Sequence, residues 1–183
     1  MKFYQYCAKC GQRYSDFQIH EMKQGVSRIK CESCGLAIYN NPRMAVAAIL
    51  VRDGQYLMSR RGIEPFRGTL DVAGGFCDYG EDSLESLQRE LKEELNLDES
   101  TYDIRGILGT MHNWYNNGGR EEEQYSVGTV FYVLETERED FEVLDDVSGY
   151  EWIPLGTVSE DIGFPELKVF LTEYMDQLVE IAG

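Results

Sequence analysis

The chain has 183 residues, 17 Lys and Arg against 33 Asp and Glu, a formal net charge of −16, and 43% hydrophobic side chains. That length suits one ordinary domain with a small appendage, and the composition belongs to a folded chain and excludes a disordered one. No apolar run approaches the ~18 residues of a membrane-spanning helix, and the opening MKFYQYCAKCG lacks the features of a secretory signal, so a cytoplasmic protein is expected.

The charge is unevenly spread. Residues 1–40 carry six basic and three acidic side chains, whereas residues 41–183 carry 11 basic and 30 acidic ones, so a +3 segment precedes a −19 body. Such a body repels a phosphate backbone, and nucleic acid is not an expected partner of it. A small phosphorylated substrate requires that some of its carboxylates hold divalent cations.

Four of the five cysteines form Cys7-x-x-Cys10 and Cys31-x-x-Cys34, each pair followed by a glycine, Gly11 or Gly35. Two such turns present four thiolates, the donor set of a tetrahedral structural zinc site, and glycine permits the tight turn after each pair. The alternative, two disulfides, is disfavoured in a reducing compartment. Residues 1–40 are therefore predicted to form a zinc ribbon, with a short hairpin between Cys10 and Cys31 and folding energy supplied by the metal. Its surplus positive charge leaves two roles open, contact with RNA and a structural or dimerising cap. Cys77 is expected to pack as a small buried side chain. Asn40-Asn41-Pro42 marks the boundary with the body, residues 41–183.

Beyond it, Met44–Val51 is a continuous apolar run and predicts a buried central strand. Asp53-Gly54 is a hairpin turn signal, with Gln55–Arg60 as the returning strand. Short strand-like pieces, Thr69–Ala73 and Phe76–Cys77, flank Gly74-Gly75. Residues 83–95 predict a helix with Leu84, Leu87, Leu91 and Leu95 on one stripe, capped by Asp82 or Ser83. Two long strands follow, Ile104–Met111 and Tyr125–Leu134, separated by a polar loop from His112 to Gln124. Tyr150–Pro154 predicts a short strand. Glu166–Ile181 predicts a terminal helix facing inward with Leu167, Phe170, Leu171, Tyr174, Leu178 and Ile181. The body thus reads as an α/β sandwich, a mixed sheet between helices.

On the 83–95 helix, Glu90 and Glu94 lie about 40° apart and Glu93 about 60° from Glu90. Three carboxylates on one side suit a hard cation such as Mg²⁺ or Mn²⁺, and a solvated acidic face is the alternative. The longer string carries more information. Gly75, Glu81, Arg89, Glu90, Leu91, Glu93, Glu94 and Leu97 follow the order Gly, five residues, Glu, seven residues, Arg-Glu, aliphatic, any, Glu-Glu, any, Gly, aliphatic. This resembles the signature of the Nudix hydrolases. Asn96 stands where the family has glycine, at a helix end needing left-handed backbone, which Asn adopts next most readily. Gly74-Gly75 after a strand, Thr69-Leu70-Asp71 and Tyr150-Glu151-Trp152-Ile153-Pro154 extend the resemblance over residues 41–183. A cysteine ribbon ahead of such a domain is similar to the NADH pyrophosphatase branch. That branch has a Ser-Gln-Pro-Trp-Pro-Phe-Pro element soon after the box, absent here, where residues 98–117 read DESTYDIRGILGTMHNWYNN.

The resemblance implies a Nudix α/β/α sandwich and metal-dependent hydrolysis of a nucleoside diphosphate linked to another moiety, such as ADP-ribose or NADH. It places Glu90, Glu93 and Glu94, with a carbonyl of Gly74 or Gly75, on one to three Mg²⁺ or Mn²⁺ ions. Glu90 or Glu93 would accept the proton of the attacking water, and Arg89 with Glu81 would form an orienting ion pair. A loop base among Glu121, Glu122 and Glu123 is a further expectation. Trp114 and Tyr115 are candidates to stack on a nucleobase, and Arg60, Arg61 and Arg67 to contact phosphate. Enzymes of this type are often homodimers. Two other readings stay open, RNA 5′-end processing guided by the basic ribbon and a non-catalytic nucleotide sensor.

Overall fold

The computed structural model describes residues 5–23, 28–115 and 125–183. The chain divides into two compact units, Met1–Pro42 with Trp114–Ser126, and Arg43–Asn113 with Val127–Gly183.

In the first unit, helix α1 (Asp16–Lys23) precedes a two-stranded antiparallel ribbon, β1 (Arg28–Lys30) and β2 (Ala37–Tyr39). The hairpin expected between Cys10 and Cys31 is therefore replaced by a helix and a strand. The local reason is a reciprocal cap. The Ser15 hydroxyl accepts from the Gln18 amide at 3.2 Å, and the Gln18 side chain accepts from the Ser15 amide at 3.1 Å. The hairpin instead places the second cysteine pair at its tip.

The second unit is an α/β/α sandwich. Its sheet runs β5-β4-β3-β7-β6, with β8 also paired to β4: β3 (Arg43–Arg52), β4 (Gln55–Arg61), β5 (Leu70–Asp71), β6 (Asp103–Tyr115), β7 (Tyr125–Glu135) and β8 (Val147–Pro154). β3 and β7 are parallel from Arg43↔Val127 to Val51↔Glu135, and the other assigned pairings of β4 are antiparallel. β3 is apolar and buried from Ala45 to Val51 because both faces are covered there. Val46, Ala48 and Leu50 pack with Leu87, Leu91 and Leu95 of α2 (Ser83–Leu95). Ala47, Ile49 and Val51 pack with Leu167, Phe170, Leu171 and Leu178 of α3 (Pro165–Ala182). The two-residue strand period separates the two cores.

One departure creates the site. The Asp53-Gly54 turn forms with both residues at positive φ, 47° and 74°, yet β4 pairs with β3 only at Val51↔Tyr56 and Arg52↔Gln55. β4 then diverges from β3 and pairs with β5 at Ser59↔Asp71 and Arg60↔Leu70, while β8 follows its other edge from Gln55 to Arg61. Residues 73–77 take the vacated edge of β3: the Val46 amide donates to the Gly75 carbonyl at 2.9 Å, Ala48 to Ala73 at 2.8 Å, and Cys77 to Met44 at 3.0 Å. Two smaller differences concern exposure and length. Leu84 is exposed and Cys77 is half-buried, at the margin of the α2 core. β6 continues to Tyr115 through the stretch expected to be loop from His112, because Trp114 and Tyr115 are strand-favouring aromatics. No described helix is long and apolar enough to cross a membrane.

Candidate functional site

Helix α2 is held at both ends by local chemistry. The Asp82 carboxylate accepts from the amides of Leu84 (2.8 Å) and Glu85 (2.9 Å), and the Glu85 carboxylate accepts from the Asp82 amide (2.9 Å). Asn96 ends the helix in left-handed conformation, φ 48° and ψ 39°. With the leucine stripe in the core, the next helical positions, Glu90 and Glu94, are drawn toward the 73–77 segment.

Arg89 uses all five of its guanidinium donors. It binds Glu81 through Nε (2.8 Å) and Nη2 (3.0 Å), Glu90 (2.8 Å) and Glu93 (3.1 Å) through Nη1, and the Phe76 carbonyl (2.9 Å) through Nη2. Glu81 also accepts from the Asp78 amide at 3.0 Å and from the buried Ser86 hydroxyl at 2.7 Å. The Arg89 contact, joined by these two bonds, holds the Glu81 carboxyl down at about 2, permanently ionised near neutrality. The fork ties the approach to the helix, the helix itself and the segment beside β3 into one rigid corner.

Opposite it, the Gly74 amide donates to Glu94 at 2.8 Å. Glu94 is 8% exposed, and burial pushes its carboxyl up to about 8, helped by the charges of Glu90, Asp71 and Asp146. Burial also raises Glu90, against the pull of Arg89. Glu93 is half exposed. Two neighbouring carboxylates withdrawn from water, with a third on the same arginine, form a hard-oxygen donor set whose ionised form needs a cation. The chemistry of these donors suits Mg²⁺ or Mn²⁺, although among the described residues only the four cysteines bring three or more ligand atoms within 4.8 Å of one another.

The two glycines are constrained by different neighbours, Gly74 by backbone and Gly75 by the end of a side chain. A Cβ on Gly74 would lie 2.2 Å from the Val46 carbonyl oxygen, at φ +138°; one on Gly75 would meet the Glu90 carboxylate at 2.5 Å. Gly74→Ala is expected to cost on the order of 3 kcal/mol, because the obstacle is central-strand backbone. A lowered melting temperature together with lost activity checks this. Gly75→Ala should fold nearly normally, since Glu90 can swing aside, and lose activity alone.

The other predicted residues are more dispersed. Arg60 is engaged by Asp161 (2.9 Å), Glu151 and the Gly68 carbonyl. Arg61 pairs with Asp71 at 2.7 Å and is largely buried. Arg67 is exposed on the loop after β4. Trp114 is 54% exposed near the end of β6, and Tyr115 packs on Tyr125 with ring centroids 5.6 Å apart. Glu121, Glu122 and Glu123 lie outside the described residues. Sequence reasoning missed Ser86, Asp71 and Asp146. Ser86 left a trace as a small polar residue one helical turn before Glu90, and Asp71 as the end of Thr69-Leu70-Asp71, whereas Asp146 left none.

In the first unit, the sulfurs of Cys7, Cys10, Cys31 and Cys34 lie within 4.8 Å of one another. The Cys7–Cys34 and Cys10–Cys31 separations are 3.6 and 3.7 Å. A tetrahedron with Zn–S bonds of about 2.3 Å has edges of about 3.8 Å, whereas a disulfide needs about 2.05 Å. The two turns match: the Gly11 amide donates to the Cys7 carbonyl and the Gly35 amide to Cys31, both at 2.9 Å, with φ of 70° and 74°. The cluster fits zinc.

Comparison with known proteins agrees with this geometry. The family model described as NUDIX domain matches residues 41–174. An ADP-ribose pyrophosphatase of Methanocaldococcus jannaschii is 28% identical over 138 residues, 75% of this chain and 76% of that protein. The human mitochondrial NAD(P)H pyrophosphatase NUDT13 is 35% identical over 99 residues, 52% of this chain but only 25% of the relative. Among solved structures, a NUDIX hydrolase from Nitrosomonas europaea superposes with a TM-score of 0.68 at 20% identity, covering 95% of this chain and 92% of that one. A family match spanning most of the chain, on a sandwich that brings Glu90 and Glu94 to Gly74 and Gly75, leaves one assignment: this protein belongs to the Nudix hydrolase family.

Proposed function

We propose that the protein is a divalent-metal-dependent pyrophosphohydrolase cleaving a nucleoside diphosphate joined to a second moiety, with ADP-ribose ahead of NADH. The observation that carries the reaction type is the withdrawal of Glu90 and Glu94 from water beside Gly74-Gly75, with Arg89 bracing the corner. ADP-ribose comes first because the relative named for it matches along three quarters of both chains, whereas the NAD(P)H relative matches over a quarter of its own length.

Glu90, Glu93 and Glu94, with a carbonyl of Gly74 or Gly75, would hold Mg²⁺ or Mn²⁺. When bound, such ions supply neutralisation of the diphosphate and acidification of a water. Glu90 or Glu93 accepts the proton as the water oxygen bonds to phosphorus, and the bridging P–O bond breaks toward the leaving phosphate. Glu81, through Arg89, keeps Glu90 and Glu93 oriented. Arg60 and Arg67 would contact substrate phosphate and Trp114 would stack on the nucleobase, while Glu122, a candidate loop base, lies outside the described residues. Residues 1–40 form a zinc ribbon with Cys7, Cys10, Cys31 and Cys34 as ligands, and residues 41–183 the catalytic domain.

Incubation with ADP-ribose, NADH, diadenosine tetraphosphate and capped RNA, each with Mg²⁺ or Mn²⁺, tests the assignment. AMP and ribose 5-phosphate from ADP-ribose are the expected products, at the highest kcat/KM of the panel. Faster turnover of capped RNA would replace the small-nucleotide reading, and tight binding without turnover of any compound would replace catalysis by sensing.

A further inference from the structure

Arg61, read from sequence as a phosphate contact, faces the protein interior. Its side chain is 14% exposed and that of its partner Asp71 17%. Nη1 donates to Asp71 Oδ2 at 2.7 Å, Nε donates to the Pro65 carbonyl at 2.7 Å, and the guanidinium lies 5.0 Å from the centre of the Phe164 ring. These contacts reach two different segments.

The first is the chain entering the site. The other Asp71 oxygen accepts from the Val72 amide at 2.8 Å, and the chain then runs through Ala73 directly into Gly74-Gly75. The second is the loop between β4 and β5. Its base closes on Arg61 itself, whose amide donates to the Thr69 carbonyl and whose carbonyl accepts from the Gly68 amide, both at 2.9 Å. The Gly62 amide is bound to the Asp146 carbonyl at 2.6 Å. At its tip Phe66 stands at φ +61°, a conformation that a bulky aromatic holds only when its surroundings enforce it. Those surroundings are the Phe164 ring, edge-on at 4.9 Å, and Gly163, where a Cβ would lie 2.6 Å from that of Phe66. Phe66 is 43% exposed and Arg67 beside it is exposed. The charged groups around the guanidinium are Asp71, its direct partner, and Asp146, which also acts on it electrostatically.

We propose that Arg61 is a positioning residue whose fork locks the Gly62–Gly68 loop to the strand entering Gly74-Gly75, so that backbone facing the carboxylates and the loop presenting Phe66 and Arg67 keep one register. The inference rests on the pyrophosphohydrolase reading. A lysine cannot replace the fork, because one ammonium does not reach Asp71 and the Pro65 carbonyl in a plane while stacking on Phe164.

The test separates positioning from stability. Arg61→Lys keeps the charge and is expected to stay folded, with kcat lowered about tenfold, KM raised, and more Mn²⁺ needed for half-activation, on the substrate turned over fastest in the panel above. Arg61→Met strands Asp71 as a buried unpaired charge and should lower the melting temperature and kcat/KM together. Adding Asp71→Asn to Arg61→Met removes that charge. The double variant should recover most of the lost thermal stability yet retain at least a tenfold kinetic defect, since it has no fork. Recovery of wild-type kcat, KM and Mn²⁺ half-activation in the double variant would overturn the proposal, as would an Arg61→Lys enzyme with unaltered kinetics. Failure of the underlying reading shows separately, as undiminished turnover by Glu94→Gln.

Discussion

Glu94→Gln is expected to lower kcat by about a hundred- to a thousandfold while the protein remains folded. The amide keeps an oxygen able to accept from the Gly74 amide, the only hydrogen bond assigned to the Glu94 side chain among the described residues. It takes away the charge, and with it the attraction for a divalent cation. A steady-state comparison with Mn²⁺ in excess reads the first effect, and a circular-dichroism melt the second. Unchanged turnover would end the catalytic reading of the helix.

The same substitution has a pH signature in the presence of a chelator. The Glu94 carboxyl is pushed up to about 8 by burial, from an ordinary value near 4.5. The native state therefore holds this proton more tightly than the unfolded chain does. Its contribution to stability is full below about 4.5 and is lost as pH rises through about 8. Glutamine is neutral at every pH and loses nothing over that window. The metal-free variant should accordingly melt progressively higher than wild type from pH 5 to pH 9. A constant difference between the two curves would show that the carboxyl ionises as freely in the native state as in water.

Cys7→Ser carries the second large effect. Among the described residues the first unit buries little: Cys7, Tyr14, Ile29 and Cys31 form its core, with Ile19, Cys34, Leu36 and Ile38 packed around them. Two core members are themselves cysteines. So few apolar side chains cannot offset the backbone entropy of the segment, and structural zinc binding contributes about 10 kcal/mol or more in modules of this kind. Loss of one thiolate should lower bound zinc from one ion per chain to a small fraction and abolish amide-exchange protection over Arg28–Lys30 and Ala37–Tyr39. The leucine-rich cores on both faces of β3 should keep theirs. Elemental analysis with hydrogen-exchange mass spectrometry reads both results. Persistent ribbon protection in excess chelator would show that the segment folds without metal.

The legible part of the fold is the part written in short-range chemistry. The Leu87–Leu91–Leu95 stripe, the Asp82 cap, the Asn96 terminus and the Asp53-Gly54 turn depend on neighbours within a few residues, so each could be read from its own window. The hairpin expected between Cys10 and Cys31 shows the limit of this approach. The Ser15-x-x-Gln18 cap is equally local, and it starts a helix where the cysteine spacing by itself is compatible with a hairpin. The partner of β4 shows another limit. Nothing in Gln55–Arg61 says that its pairing with β3 ends at Tyr56 or that β8 takes its other edge, because strand pairing is settled by distant residues and sheet twist.

The candidate site divides along the same line. The sequence by itself determined the family signature, the helix bearing Glu90, Glu93 and Glu94, and the two cysteine pairs, since motif spacing is a property of the chain. Tertiary structure decided which carboxylates lose water, that β4 vacates the edge of β3 to admit Gly74-Gly75, and that Arg61 serves Asp71 rather than solvent. The physical reason is desolvation. A side chain's charge is present in the sequence, but its energy depends on what surrounds it, and the buried Glu94 is bonded to the Gly74 amide and acted on by the charges of Asp71 and Asp146, which lie up to 52 positions away along the chain.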